Sequence, residues 1–512
     1  MAQSPTTAPA RSGFRSTLRN RFFQRLWLAQ ILSQTVQNAT NYGSIVLLAQ
    51  VSHSSTAVGG VIIAFSLPAV LFGVPAGVLV DRMDKRLILW VSNGLRAVAS
   101  FGFVVAILSD SHNYLLIYLL TFLISVIGQF FGPAEGTAIP LLVGEGDLVP
   151  ALSLFNVTFS VSQALGFIIL GPLIVLGMPT VSFPIGTAVL TLTSIHWLFL
   201  FIGCTYLICA FLTWSIPRDT LIGARNPNSQ ATGQRIGNVW HGVVEAWTFV
   251  RHNRPLFIAV LQLTLGGSVI TIISMIAPSF SDQFMHRPAA LAGIVFVPAG
   301  LGLISGSVLM PRIIERLGLK ISEGVGVVGV SGCTVLLTLC HWFAVRMDPA
   351  NWPNDPLYLL AVVVTIFCLG LSLDLITLPA QTELQRRSPD WIKGRVLALQ
   401  MMFLNAAAIP IILVVGSAAD TMGLPVAMNL IAISVITLGL GSIYLAEQPA
   451  GFFSHLLRPK AAARQPVLPE DGPSFKGAQS NPLPRVLSHD HESAPAATRT
   501  PSGAINRQTP TR

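Results

Sequence analysis

The chain has 512 residues, of which 52% are hydrophobic and only 10% charged, with a mean hydropathy of +0.66. Soluble globular proteins carry about 25% charged residues, so this composition excludes one. Long apolar runs recur along most of the length, and about 20 apolar residues cross a bilayer's hydrocarbon core. The formal net charge of +9 does not point to nucleic acid, because the basic residues sit in short connectors beside apolar segments, where they set topology.

The first 25 residues are basic and polar and lack a short apolar region followed by a small-residue cleavage site, so no removable signal peptide is expected. About twelve spans follow. The first six are Leu26–Val51, Val58–Val80, Leu87–Leu108, Tyr114–Phe131, Leu152–Leu176 and Leu190–Trp214. The second six are Leu256–Pro278, Ala289–Met310, Ile321–Phe343, Leu357–Leu378, Val396–Gly416 and Leu424–Leu445. The expected fold is all-α, with two six-helix bundles.

Charge tests the count independently. Alternate connectors carry Arg82, Lys85 and Arg86; Arg218, Arg225, Arg235, Arg251 and Arg254; Arg312, Arg316 and Lys320; and Arg386, Arg387, Lys393 and Arg395. The N-terminal segment adds Arg11, Arg15, Arg19, Arg21 and Arg25, whereas the opposite connectors carry only Arg287 and Arg346. The positive-inside rule therefore predicts that both termini are cytoplasmic, with the protein in the cell (inner) membrane. One span more or fewer would turn the later basic connectors outward.

The expected organisation is a basic cytoplasmic segment (1–25), a first bundle (26–215), a cytoplasmic linker (216–254), a second bundle (255–446) and a disordered cytoplasmic tail (447–512). In the linker, "GARNPNSQATG" reads as flexible. Further on, Ile236, Val239, Trp240, Val243, Trp247 and Val250 share a helical face suited to the membrane interface. The halves also echo each other: "FGPAEGTAIP" follows the fourth span as "LPAQTELQ" follows the tenth, a sign of a duplicated six-helix unit.

Between the second and third spans, Gly77, Leu79, Asp81, Arg82 and Arg86 stand in the order Gly-x-Leu-x-Asp-Arg-x-x-x-Arg. This connector resembles the signature loop of the major facilitator superfamily. "FFGPAEGTAIPLLVGEGDLVPALSL" and "LQRRSPDWIKGRVLAL" resemble connectors of its drug, macrolide and siderophore exporter branch. The resemblance covers Leu26 to Leu445. It implies a loop, including Gly77, Asp81, Arg82 and Arg86, that latches the halves in one state and releases them in the other. Asp84 departs from the usual glycine, Glu135 stands where related exporters often have arginine, and "GFIILGPLIVLG" matches the antiporter motif of the fifth span only partly. Independently of the resemblance, an acid at a span's end suits the positive N-terminus of a neighbouring helix or a basic side chain. Topology and headgroup contact alone account for the three basic residues.

Polar groups in hydrocarbon are costly and turn toward a cavity or another helix. Gln30, Gln34, Asn38 and Asn41 form a stripe along the first span, with Gln37 beside it. The fifth span has Asn156, Ser160 and Gln163; the seventh has Gln262, Ser268, Thr271 and Ser274; the eleventh has Gln400 and Asn405. Interhelical hydrogen bonding explains any one of these; together they predict a central transport path. Two carboxylates are candidate proton-coupling groups, because desolvation favours the neutral acid and brings exchange toward neutral pH. Asp374 lies inside the tenth span; the alternative is a neutral acid hydrogen-bonded between helices. Glu135 ends the fourth; the alternative is a solvated interface acid, with Arg96 as counter-charge, snorkelling group or helix-end ligand.

Cys204, Cys209, Cys333, Cys340 and Cys368 read as apolar packing residues, and His196 and His341 as interface residues. His489 to His491 lie in the tail, and no metal or cofactor is expected. The whole predicts a secondary transporter and not an enzyme: a proton-coupled, antiporting exporter of small amphipathic molecules, acting as a monomer. A phosphate loop of the Gly-x-x-x-x-Gly-Lys-[Ser/Thr] type is absent from the sequence, which disfavours self-contained ATP-driven transport. The alternatives are a lysophospholipid transporter, a membrane-embedded lipid enzyme, for which the spans hold no convergent catalytic groups, and a sensor.

Overall fold

Most of the apolar runs become helices that outrun them. The computed structural model describes residues 14–109, 114–144, 147–185, 188–221 and 236–447. A short α1 (Phe14–Arg19) precedes α2 (Arg21–Ser52), α3 (Ser55–Arg82), α4 (Lys85–Ser109), α5 (Tyr114–Leu142) and α6 (Leu148–Ala164). A π-helical turn, Leu165–Leu170, joins α6 to α7 (Gly171–Gly177); then come strands β1 (Val181–Ile185) and β2 (Ala188–Leu192) and α8 (Ser194–Trp214). After α9 (Arg218–Leu221) and α10 (Ile236–His252), the second half comprises α11 (Arg254–Met285), α12 (Ala292–Val295), α13 (Val297–Leu317), α14 (Leu319–Met347), α15 (Pro356–Arg387), α16 (Asp390–Met422) and α17 (Leu424–Glu447).

Among the described residues, 11 segments are long and apolar enough to cross a membrane. The remaining long helix of the expected twelve is α2, whose polar stripe keeps its hydropathy below theirs. It has 32 residues, making it about 48 Å long, and it packs against α3, α6 and α8. Outward faces carry bare apolar side chains such as Leu115, Val308 and Leu357, 75%, 69% and 72% exposed. Such a continuous apolar exterior requires lipid around it.

The expected connectors after the fourth and tenth spans are helical instead. Pro133 and Pro140 lie inside α5 and Pro379 inside α15. In hydrocarbon, breaking the helix would strand backbone groups, while neighbouring helices cover a proline kink. The sixth span begins at Ser194 rather than Leu190, because Leu190 to Leu192 pair with the opposite strand, Val181 facing Leu192 in register. The alternating β-branched residues of "VSFPI" and "AVLTL" are the local signal for that hairpin. The eighth span is interrupted at Phe296, where Pro298 opens α13.

Glycines set the closest helix crossings. A Cβ on Gly302 would overlap the Phe367 carbonyl oxygen, and one on Gly370 the Ala299 carbonyl oxygen, so α13 and α15 meet backbone to backbone. Gly370→Ala is expected to force the pair apart, lowering stability by about 1–3 kcal/mol. Thermal unfolding of the purified variant checks this; an unchanged midpoint would mean the crossing yields freely.

In the linker, Ala246 and Val250 are fully buried among Leu256, Leu384 and Val396, with Val243 and Trp247 packed alongside. Glu245 Oε2 accepts from Arg395 Nη1 at 2.5 Å. This face of α10 thus lies on the basic end of the second half. The side chains of Ile236, Val239 and Trp240, the linker centre and the C-terminal tail, including His489 to His491, lie outside the described residues.

Candidate functional site

At the basic end, two residues separate α3 from α4. Asp84 Oδ1 accepts from Arg86 N at 3.0 Å, capping α4, and its Oδ2 pairs with Arg218 Nε at 2.8 Å. A capping carboxylate therefore stands where the superfamily usually has glycine, without positive φ. The Arg86 guanidinium donates to the Trp214 carbonyl at the C-terminal end of α8 and lies 6.0 Å from the Trp214 ring. Arg86 thus ties the connector to its own half. Gly77 is half-buried with open space around it. The side chains of Asp81 and Arg82 lie outside the described residues.

The polar stripes pair within each half: α2 packs on α6, and α11 on α16. Gln34 and Asn38 are half-buried, and Asn38 Nδ2 donates to the Gln34 carbonyl at 2.8 Å. Gly166, in the π turn, brings that segment against Thr35 and Asn38. Asn41 is half-buried, Asn156 and Gln163 are exposed, and the side chain of Ser160 lies outside the described residues. Gln37 Oε1 accepts from the Tyr206 hydroxyl at 3.1 Å. In the second half, buried Gln262 donates from Nε2 to Glu323 Oε2 at 3.1 Å; Gln400 is buried, and Asn405 bonds its own helix at the Met401 carbonyl. Glu323 escapes sequence inspection because it lies at the margin of its span.

Asp374 is 7% exposed between α15 and α13, with Ser307 Oγ donating to its Oδ2 at 3.0 Å. Gly306 makes room for it, since a Cβ there would approach Asp374 Cβ to 2.8 Å. Glu135 is also 7% exposed, inside α5. Buried Arg96, from the adjoining α4, lies 5.0 Å from the Phe131 ring centroid and 5.7 Å from that of Tyr206. Glu135 Oε1, Arg96 Nε and both polar side-chain atoms of Asn93 have no hydrogen-bond partner among the described residues. Orphaned polar atoms this deep mark a place for water or protons. Asn93, one helical turn before Arg96, is legible as a polar residue within a span; Tyr206 is not, because tyrosine reads as apolar.

At the end opposite the basic connectors the halves touch. The Tyr42 hydroxyl donates to the Ala290 carbonyl, and the Ser55 and Ser279 hydroxyls lie 3.1 Å apart. Gly171 admits the Tyr42 ring, and Gly293 sits 3.0 Å (measured to a Cβ placed on it) from the Phe167 carbonyl of the π turn. The partly matching glycine-proline stretch of the fifth span thus helps to close this end.

Membrane-length helices with apolar outward faces define a polytopic membrane protein. The sequence profile of the Major Facilitator Superfamily matches residues 26–411, and the chain belongs to that family. It is a transporter, not an enzyme. Its relatives include an uncharacterized MFS-type transporter, YfiS, of Bacillus subtilis (strain 168), 23% identical over 74% of this chain and 81% of the relative. The multidrug efflux pump Tap of Mycolicibacterium fortuitum is 24% identical over 77% of this chain and 88% of the pump. Among solved structures, the nucleoside transporter NupG superposes with a TM-score of 0.62 at 13% identity, covering 84% of this chain and 100% of that one. A bacterial homologue of the iron transporter ferroportin, in an inward-facing state, does so with a TM-score of 0.59 at 15% identity, over 84% and 99%.

Proposed function

We propose that this transporter is a proton-coupled exporter of small amphipathic molecules, working by alternating access in the cell (inner) membrane with both termini cytoplasmic. The observation that carries it is the burial of one carboxylate in each half, Glu135 and Asp374. Buried acids of this kind mark proton relays, and the sequence carries no phosphate-binding loop to power transport instead. The exporter direction draws support from the branch-like connectors and from the multidrug efflux pump among the relatives.

The path is lined by Gln34, Asn38, Asn41, Asn156 and Gln163 in one half and Gln262, Gln400 and Asn405 in the other. Amides without net charge suit a substrate that is polar at one end and apolar at the other. Gly77, Asp81, Arg82 and Arg86 form the switch at the cytoplasmic end. No observation favours the lysophospholipid alternative.

Inside-out vesicles with a panel of lipophilic drugs and a lysophospholipid test this. Accumulation of the drugs under an acid-inside gradient, abolished by a protonophore, is expected; uptake indifferent to the gradient would refute proton coupling. For topology, a cysteine at Ser229 should react with an impermeant maleimide only from the cytoplasmic side, and one at Asn351 only from outside. Outside labelling at Ser229 overturns the six-plus-six arrangement.

A further inference from the structure

The last turn of α16 carries a carboxylate, Asp420, at the negative end of its own helix, where an acid is electrostatically unfavourable. Its partners are all in the other half, at the start of α3. Asp420 Oδ2 accepts from Ser54 Oγ at 2.6 Å and Thr56 N at 3.0 Å, while Oδ1 accepts from Ser55 N at 2.7 Å. The Ala57 N–H is met locally, by Ser54 Oγ at 3.2 Å. The first turn of α3 is therefore capped jointly, by its own serine and by an acid from the opposite half.

The backbones approach closely enough for this because glycines face the partner helix. A Cβ on Gly416 would come within 3.1 Å of Thr56 Cα, and one on Gly59 within 2.5 Å of Ile412 Cγ2. α3 and α16 thus run together for more than a turn below the carboxylate. Charge-assisted bonds from a carboxylate to helix N-terminal N–H groups are among the stronger hydrogen bonds in proteins, and separation of the halves here removes all three at once. Beside them lies a partly polar-lined cavity of about 290 Å³, bordered by Gln50, His53, Ser54, Ser279 and Asp282, large enough to admit water to this end once the carboxylate is released.

We propose that Asp420 is a positioning residue for alternating access: its bonds to Ser54, Ser55 and Thr56 hold this end of the transporter shut, and their release is part of opening it. Asp81 stands at the other end of the same α3. The inference holds for either direction of transport and for any substrate.

The test reads conformation, not flux. In a background with the five native cysteines replaced, spin labels at Gln50 and Met422, one in each half, report the separation at this end by pulsed electron resonance in nanodiscs. In Asp420→Asn, either orientation of the amide turns an NH₂ group toward an N–H or O–H donor. The open-to-closed ratio is expected to rise by roughly 5- to 150-fold, the usual range of conformational coupling. Ser54→Ala removes one donor and should shift it less, in the same direction. If the Asn variant fails to insert, the Ser54→Ala distribution decides. Distributions that overlay the wild type, including the case where only thermal stability falls, overturn the latch.

Discussion

Replacing Arg96 with leucine is expected to lower stability by about 1–3 kcal/mol, less than the full cost of a stranded buried charge because Glu135 can take up a proton, and adding Glu135→Gln should return part of it. Arg96 is 5% exposed on α4, which packs against the α5 helix that carries Glu135. Leucine removes the positive charge and so drives Glu135 to its neutral acid, whereas glutamine is neutral from the start and keeps the shape. The two aromatic contacts separate the contributions. Phe131 and Tyr206 flank the guanidinium, and each cation–π contact contributes about 0.5–2 kcal/mol that glutamine at position 135 does not restore. The double variant should therefore recover incompletely. Gly128 provides a second check, since a Cβ there would lie 2.9 Å from Arg96 Nη2; Gly128→Ala should displace the guanidinium and reproduce part of the loss. Unfolding free energies of the two single variants and the double variant form the cycle. Strictly additive effects would separate Arg96 from Glu135 and leave it a packing residue.

Asp374→Asn should abolish pH-gradient-driven accumulation, a fall on the order of 10-fold or more within the usual range of coupling effects, while substrate binding persists. Asparagine is nearly isosteric and fits the space left by Gly306, and its carbonyl still accepts from Ser307 Oγ, as Asp374 Oδ2 does at 3.0 Å. The α13–α15 crossing therefore stays intact. What disappears is the ability to take a proton on one side of the membrane and release it on the other. Flux across an imposed pH step, alongside equilibrium binding, distinguishes the outcomes. Retained pH-driven uptake would make Asp374 a neutral interhelical hydrogen-bonding group and pass the coupling role to Glu135. Ser307→Ala provides contrast: it removes the donor but leaves the titrating group, so coupling should survive.

Much of this architecture is local in origin and was therefore legible in the sequence. Apolar run length set the number of spanning helices, because hydrocarbon forces the backbone to satisfy itself within each segment. Residue spacing placed Gln30, Gln34, Asn38 and Asn41 on one stripe, because a helix returns to the same face every 3.6 residues. The Gly-x-Leu-x-Asp-Arg pattern pointed to the family to which the chain belongs. Tertiary structure decided the rest. Helix ends moved past Pro133 and Pro379 because neighbouring helices can cover the backbone group a proline leaves unbonded, which no local pattern encodes. Arg96 came to lie beside the Tyr206 ring, Asp374 met Ser307, and Asp420 met the start of α3 because helices far apart in the chain pack side by side. Periodicity fixes which face a side chain occupies; which helix that face meets is set by glycine-lined crossings and the closing of one half on the other.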